Sequence, residues 1–258
     1  MKFDLSDVSF LIPARIDSRE RWENLDAVIK YISNNFDTCI YVLEADCDQK
    51  IQPDEINAKF SYHFVYDSSA VYHKTRYVNM LLRLANSTYA VVWDADVIAH
   101  PDLVLSGICK LREQKSFLVI PYDGRVFSAG ALLSSIFRQN LDLNILDESI
   151  AMMHLMYGYY STGGAILINR EQYLEIGGDN ENIIGWGPED MERVRRLEVL
   201  GLDVCYEEGK ALYHLWHPRK SNSWYANPQT ELKNRQEFLR TCRSDRVSLL
   251  QYFKNHTD

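Results

Sequence analysis

An open, mostly parallel α/β sheet flanked by helices, in a single domain, is the fold class that the sequence predicts, and three observations predict it. Short apolar runs alternate with segments of helical periodicity through the first half of the chain. One run, Tyr89-Ala90-Val91-Val92-Trp93, has no polar alternation, which marks a strand covered on both faces, as in a parallel sheet. Acidic residues close three of the runs, at Glu44, at Asp67 and at Asp94 with Asp96, and open α/β sheets bind ligands beyond the carboxyl ends of their strands.

Each element has its own signal. Residues 8–13 form a short apolar run ending in proline, and residues 17–31 carry Trp22, Leu25, Val28 and Ile29 at helical spacing. A second strand covers 38–43 and a third 62–66, followed by a helix over 72–85 with Val78, Leu81, Leu82 and Leu84 on its apolar side. The buried run 89–93 is the fourth strand, 101–114 a helix, 117–121 the fifth strand and 165–168 the sixth, after a weakly patterned helical middle over 129–156. No repeat or linker divides the chain. The reading is one domain, with a nucleotide-binding half over about 1–100, an acceptor and metal half over about 101–220, and helices over 221–258.

Composition sets the outer limits. With 258 residues, 46% hydrophobic and 25% charged, the chain can bury a substantial core. A net charge of −8 argues against nucleic-acid partners and anionic membranes. Cys39, Cys47, Cys109, Cys205 and Cys242 fall at no metal spacing and are odd in number, which fits free thiols in a reducing compartment, so the expected location is cytoplasmic. Met1-Lys2-Phe3-Asp4-Leu5 opens no signal peptide, and no run approaches the ~18 apolar residues of a membrane span. Without a signal peptide, the glycosylation sequons at Asn86 and Asn255 carry no meaning. Neither a dinucleotide-binding nor a P-loop glycine pattern is present, and there is no Gly-x-Ser-x-Gly elbow.

The residues that carry chemistry lie in three stretches. On an extended segment Asp94 and Asp96 would point to the same side and offer a divalent metal hard oxygen ligands. His214 and His217 follow a later apolar run, and one of them would complete such a site. Gly187-Pro188 reads as a helix start with proline at the first helical position, and Glu189 and Asp190 open the helix, where free N–H groups and the dipole should keep both ionised. Between Gly185 and Gly187, Trp186 offers a flat surface of the kind that sugar rings stack on. An acidic chain without a phosphate loop would confront a diphosphate with uncompensated carboxylates unless a cation offset them, which the Asp pair and a histidine would provide.

Asp94-Ala95-Asp96, Gly163-Gly164, Tyr173-Leu174-Glu175-Ile176-Gly177-Gly178, Gly185-Trp186-Gly187-Pro188-Glu189-Asp190 and the late His217 together resemble the GT-A glycosyltransferases. The match is most specific to the C-terminal motif region of the β-1,4-galactosyltransferase family, partly shared with the polypeptide N-acetylgalactosaminyltransferases. The resemblance implies a metal-dependent, inverting transfer of a hexose or N-acetylhexosamine, with galactose or N-acetylgalactosamine favoured, from a UDP-sugar to a carbohydrate acceptor. Asp96 and His217, with His214 the less certain ligand, would hold manganese or magnesium. Asp94 would reach the ribose, or the metal through water. Asp190 would be the general base, with Trp186, Gly187 and Glu189 against the acceptor. Pro13, Arg15, Glu44, Asp67, Arg76 and Gly164 would line the donor pocket, Arg15 near the diphosphate and Glu44 or Asp67 near the uridine.

The chain departs from the family pattern in several places. Pro188 replaces the usual glycine, Met191 stands where a third acid is common, and His214 stands where the galactosyltransferases have methionine. Ser161 replaces the bulky tyrosine that favours galactose, which leaves the donor sugar open. The absence of an anchor and stem points to a soluble bacterial enzyme of polysaccharide synthesis, with peripheral association at the inner membrane face left open. Two other readings remain: a non-catalytic nucleotide-sugar or glycan-binding module on the same fold, and a retaining N-acetylgalactosaminyltransferase-like enzyme.

Overall fold

The computed structural model describes residues 2–220 and 224–254, so the Asn255 sequon lies outside the described residues. The first half follows the predicted alternation: β1 (Phe3–Ala14), α1 (Arg19–Asn35), β2 (Phe36–Asp46), β3 (Ser61–Tyr66), α2 (Lys74–Leu84), β4 (Tyr89–Trp93), β5 (Val97–Ile98), α3 (Pro101–Arg112) and β6 (Leu118–Ile120). The second half adds β7 (Val126–Ser128), α4 (Gly130–Asn140), α5 (Leu143–Glu148), β8 (His154–Leu155), β9 (Ala165–Asn169), α6 (Arg170–Glu175), α7 (Glu189–Leu200), β10 (Val204–Tyr206), β11 (Leu212–His214), α8 (Pro228–Arg243) and α9 (Arg246–Lys254).

Seven strands form the main sheet in the order β10-β6-β9-β4-β1-β2-β3. Its pairs are parallel except those of β9, which runs antiparallel to both β4 and β6. That reversal places the start of β9 beside the end of β4, with Ala165 opposite Trp93 and the Asp94 N–H donating to the Gly164 carbonyl at 2.8 Å. β4 is fixed there by burial. Val91 and Trp93 are fully enclosed, each contributing roughly 1.5–3 kcal/mol of transfer free energy, and the Trp93 indole N–H donates to the Val97 carbonyl at 2.9 Å.

A second sheet, β5-β11-β7-β8, was not predicted. Its strands are two or three residues long, too short to show a period of two. The helical middle expected over 129–156 divides. Leu141, in the left-handed region at φ 53°, ends α4, and the Asp142 side chain then caps α5 by accepting from the Asn144 N–H. The expected proline position also shifts by one residue. Pro188 is the N-cap of α7 and Glu189 its first residue, with the Glu192 N–H donating to the Pro188 carbonyl at 2.7 Å.

All five cysteines are free thiols. No described helix is long and apolar enough to cross a membrane.

Candidate active site

One cavity opens at the carboxyl ends of β1 and β4. Pro13, Arg15, Asp94, Asp96, Gly164, Trp186, Glu189, Asp190, His214 and His217 all reach its wall. Residues that are far apart in sequence meet there for a topological reason. β4 delivers the Asp pair, β11 delivers the histidines, and antiparallel β9 brings the glycine pair back between them and α7.

Asp94 and Asp96 do not lie on an extended segment as expected. They occupy the turn between β4 and β5, where the Val97 N–H reaches the Asp94 carbonyl at 3.5 Å, yet both still face the cavity. Asp96, His214 and His217 each offer one ligand atom within 4.8 Å of the others. Asp96 Oδ2 lies 3.2 Å from His217 Nε2, and Oδ1 lies 3.7 Å from His214 Nε2. Burial alone would raise the Asp96 carboxyl, but His214, His217 and Arg21 outweigh it and hold the group well below the usual range. Burial also pushes the His214 imidazole down to about 4, against the pull of Asp96. A neutral imidazole with an ionised carboxylate is the donor set that a divalent metal takes. The His214 Nδ1 is buried without a hydrogen-bond partner among the described residues. On these grounds the three residues fit a manganese or magnesium ion.

The carboxylates are nevertheless not uncompensated, contrary to the expectation from charge. Each already faces a basic side chain that the sequence reading missed: Lys74 Nζ lies 2.7 Å from Asp94 Oδ1, and Arg21 Nη1 lies 3.0 Å from Asp96 Oδ2. Burial would depress the Lys74 ammonium, but Asp94, Asp190 and Glu189 prevail and raise it. Lys74 opens α2, the helix end where the dipole disfavours a cation, and that misplacement was a readable signal.

On the opposite wall Gly163 and Asp190 are in close contact. A Cβ on Gly163 would stand 2.0 Å from Asp190 Oδ2 and 2.7 Å from its Cγ. The other carboxylate oxygen, Oδ1, accepts from Arg193 Nη1 at 2.9 Å. Arg193 is buried and also grips Asp179 through Nη2 at 2.9 Å and Nε at 3.0 Å, while Tyr173 donates to the same Asp179 at 2.5 Å. Asp190 is therefore held on a rigid support, with Oδ2 presented to the cavity side of Gly163. Gly164 sits at φ +85°, and a Cβ there would meet Leu212 at 2.6 Å.

Glu189 corrects a second expectation. Burial, reinforced by Asp190 and opposed by Lys74, pushes its carboxyl up and favours its protonated form despite its helix-start position. Its Oε2 is buried without a partner among the described residues. The Trp186 ring stacks on Trp224 at 4.8 Å and meets the edge of Tyr225 at 4.9 Å. The Trp186 loop is held from α8, where Asn234 accepts from the Ile184 N–H at 3.1 Å and donates to the Ile184 carbonyl at 2.9 Å.

Four expected residues do not line the wall among the described residues: Glu44, Asp67, Arg76 and Gly187. Glu44 is fully buried; it accepts from the N–H groups of Lys50 and Ile51 at 3.0 and 3.1 Å and from the Tyr62 hydroxyl at 2.6 Å, so its carboxylate closes the loop after β2. Asp67 accepts from Arg15 Nη2 at 2.7 Å, the Ser69 N–H at 2.8 Å and the Tyr77 hydroxyl. Arg15 in turn donates to the carbonyls of Ala45 at 2.8 Å and Ser69 at 2.9 Å, which ties the ends of three strands together beside the cavity. Arg76 is exposed on α2. At Gly187 a Cβ would strike Asn234 Nδ2 at 2.6 Å, so that glycine serves the packing of the Trp186 loop on α8.

Residues 144–218 match a family model described as the N-terminal domain of galactosyltransferase. The match covers the glycine pair, the Trp186 loop, the start of α7 and both histidines, so the resemblance of the motif region holds there. No curated protein matches. Among solved structures the chain is similar to a mannosyltransferase from Pyrobaculum calidifontis in complex with GDP-mannose and Mn2+, at 16% identity and a TM-score of 0.56, covering 97% of this chain and 69% of that one. It is also similar to a variant of Drosophila β-1,4-galactosyltransferase 7 in complex with manganese, UDP-galactose and xylobiose, at 16% identity and a TM-score of 0.53, covering 90% and 79%. The fold is the GT-A fold of nucleotide-sugar transferases.

Proposed function

We propose that the protein is a metal-dependent, inverting glycosyltransferase that moves galactose or N-acetylgalactosamine from a UDP-sugar to a carbohydrate acceptor. One observation carries the reading: a carboxylate fixed on a rigid helix start shares a cavity with an Asp-His-His ligand set on a GT-A fold. The GT-A neighbours that bind nucleotide sugars and manganese support it.

In this reading Asp96, His217 and His214 hold the metal, and Asp94 reaches the ribose or the metal through water, with Lys74 keeping its carboxylate in place. When bound, the metal would offset the charge of the departing diphosphate. Pro13, Arg15 and Gly164 shape the donor wall. Trp186 and its aromatic neighbours give a sugar a face to stack on, and protonated Glu189 can donate a hydrogen bond to an acceptor oxygen.

Asp190 Oδ2 takes the proton of the acceptor hydroxyl as that oxygen attacks the anomeric carbon. A carboxylate is a weak base toward a sugar alcohol in the ground state. The hydroxyl becomes acidic as its bond to carbon forms, so the transfer is late and position decides more than basicity. Arg193 supplies that position by fixing Oδ1.

Asp190→Asn tests the reading. It should leave donor binding intact and reduce turnover by ~10²–10⁴-fold, and NMR of the wild-type product should show the anomer inverted from that of the donor. A product with the donor's α configuration, or near-normal turnover in the variant, would reduce Asp190 to a helix cap.

A further inference from the structure

Arg21 is explained neither by the metal ligands nor by the base. It lies in the first turn of α1, which Ser18 caps by accepting from the Arg21 N–H at 3.2 Å. Its side chain crosses to the cavity and is mostly buried. Nη1 donates to Asp96 Oδ2 at 3.0 Å, Nη2 lies 3.3 Å from both ring nitrogens of His217, and Nε donates to Asp17 Oδ1 at 3.1 Å.

The contacts at the histidine show what space the guanidinium fills. His217 Nδ1 lies 3.0 Å from the Pro218 carbonyl, and Nε2 lies 3.2 Å from Asp96 Oδ2. The guanidinium lies against both side chains, with Nη1 3.0 Å from Asp96 Oδ2 and Nη2 3.3 Å from either ring nitrogen. A metal bonded to the imidazole would sit only ~2.0–2.1 Å from the ring nitrogen, in the space that the guanidinium fills between the ring and Asp96.

We infer that Arg21 is the resident counter-ion of the metal site: it neutralises Asp96 and covers the His217 ring in the metal-free protein, and a divalent cation binds only by displacing it. The inference rests on the metal-site reading above and adds that Arg21 sets the affinity of that site. A displaced guanidinium keeps its Nε bond to Asp17 and so stays beside the cavity, available to an anion such as a nucleoside diphosphate. Arg21 therefore opposes the metal alone and favours the metal together with a diphosphate.

The experiment uses the full chain, stripped by chelator, at one fixed pH and without nucleotide, with free Mn2+ followed by electron paramagnetic resonance during titration. Arg21→Met removes the charge at similar length. It should bind Mn2+ at least tenfold more tightly than the wild type, about 1.4 kcal/mol, and adding UDP should tighten Mn2+ binding less in the variant than in the wild type. Asp96→Ala should abolish the binding in both backgrounds, which locates the ion. Equal or weaker Mn2+ affinity in a folded Arg21→Met overturns the inference while leaving the metal site intact. Absence of Mn2+ binding in wild type and variant alike overturns the metal-site reading and this inference together. If Arg21→Met does not fold, Arg21→Lys, which keeps the charge but loses the fork, should bind Mn2+ several-fold more tightly, and unchanged affinity there also overturns the inference.

Discussion

Gly163→Ala is the smallest change that separates holding the donor from moving the proton. Gly163 is not among the positive-φ glycines, so alanine brings no backbone strain and its effect is that of one methyl group. That methyl carbon would stand 2.0 Å from Asp190 Oδ2, where C···O contacts normally close at about 3.3 Å, so the carboxylate must retreat on the order of 1 Å. It cannot do so freely. Oδ1 is bonded to Arg193 at 2.9 Å, and Arg193 is clamped to buried Asp179, so a retreat breaks or bends a charge-assisted bond. A displacement of about 1 Å at the reacting group can cost ~10²-fold in rate, or about 2.7 kcal/mol of barrier. Steady-state transfer should therefore show kcat lowered by about two orders of magnitude, while calorimetric titration shows donor and Mn2+ binding near wild type. The same substitution in an Asp190→Ala background should have little further effect, because the clash has been removed. A Gly163→Ala enzyme with near-normal kcat, or one equally impaired with and without Asp190, would refute the argument that this contact positions the base.

The remaining predictions concern the metal and the protonated acid. Asp96→Ala should abolish metal-dependent donor binding in calorimetry, and full nucleotide-sugar affinity of that variant in chelator would contradict the ligand assignment. Glu189 contributes stability that is complete below the ordinary glutamate pKa and is lost as the pH rises through its raised folded pKa, because the unfolded chain gives up this proton before the folded chain does. Glu189→Gln cannot ionise. Its melting temperature should fall several degrees less than that of the wild type between pH 5 and pH 9, at about 2–4 °C per kcal/mol for a chain of this size; parallel curves would show that Glu189 is not held protonated.

What could be read in the sequence follows from the range of the forces involved. β4 was legible to the residue because five consecutive apolar side chains in a parallel sheet leave a local pattern. Asp94 and Asp96 were legible because they end it. The start of α7 and the loop around Trp186 were legible because helix starts and glycine punctuation are local as well. That Glu44 closes the loop after β2 was not legible, for the complementary reason. An acid after a strand looks the same in sequence whether it faces a ligand or accepts from two loop N–H groups, and the positions of Lys50 and Ile51 depend on the tertiary course of that loop. Glu189 was expected to be ionised from its place in the helix, but burial beside Asp190 outweighs the dipole, and burial is not a local property. The short strands β5, β7, β8 and β11 lack the length to show a period.

The two cations missed at the site show what the antiparallel strand accomplishes. Arg21 comes from α1 and Lys74 from α2, both in the first half of the chain, whereas His217 and Asp190 come from the second. In a fully parallel sheet the start of β9 would lie at the far edge from the carboxyl end of β4. Because β9 runs the other way, the Gly164 carbonyl binds the Asp94 N–H, and the Gly163 surface on which Asp190 rests is one residue away. Lys74 can thus bond Asp94 and still feel the charge of Asp190, and the two carboxylates raise its ammonium against the effect of burial. Asp94 and Asp190 thus share one mostly buried counter-charge. A change on either side must therefore alter the field on the other, and under the proposed mechanism a proton leaving the acceptor would arrive at Asp190 near a positive charge that also keeps Asp94 in place.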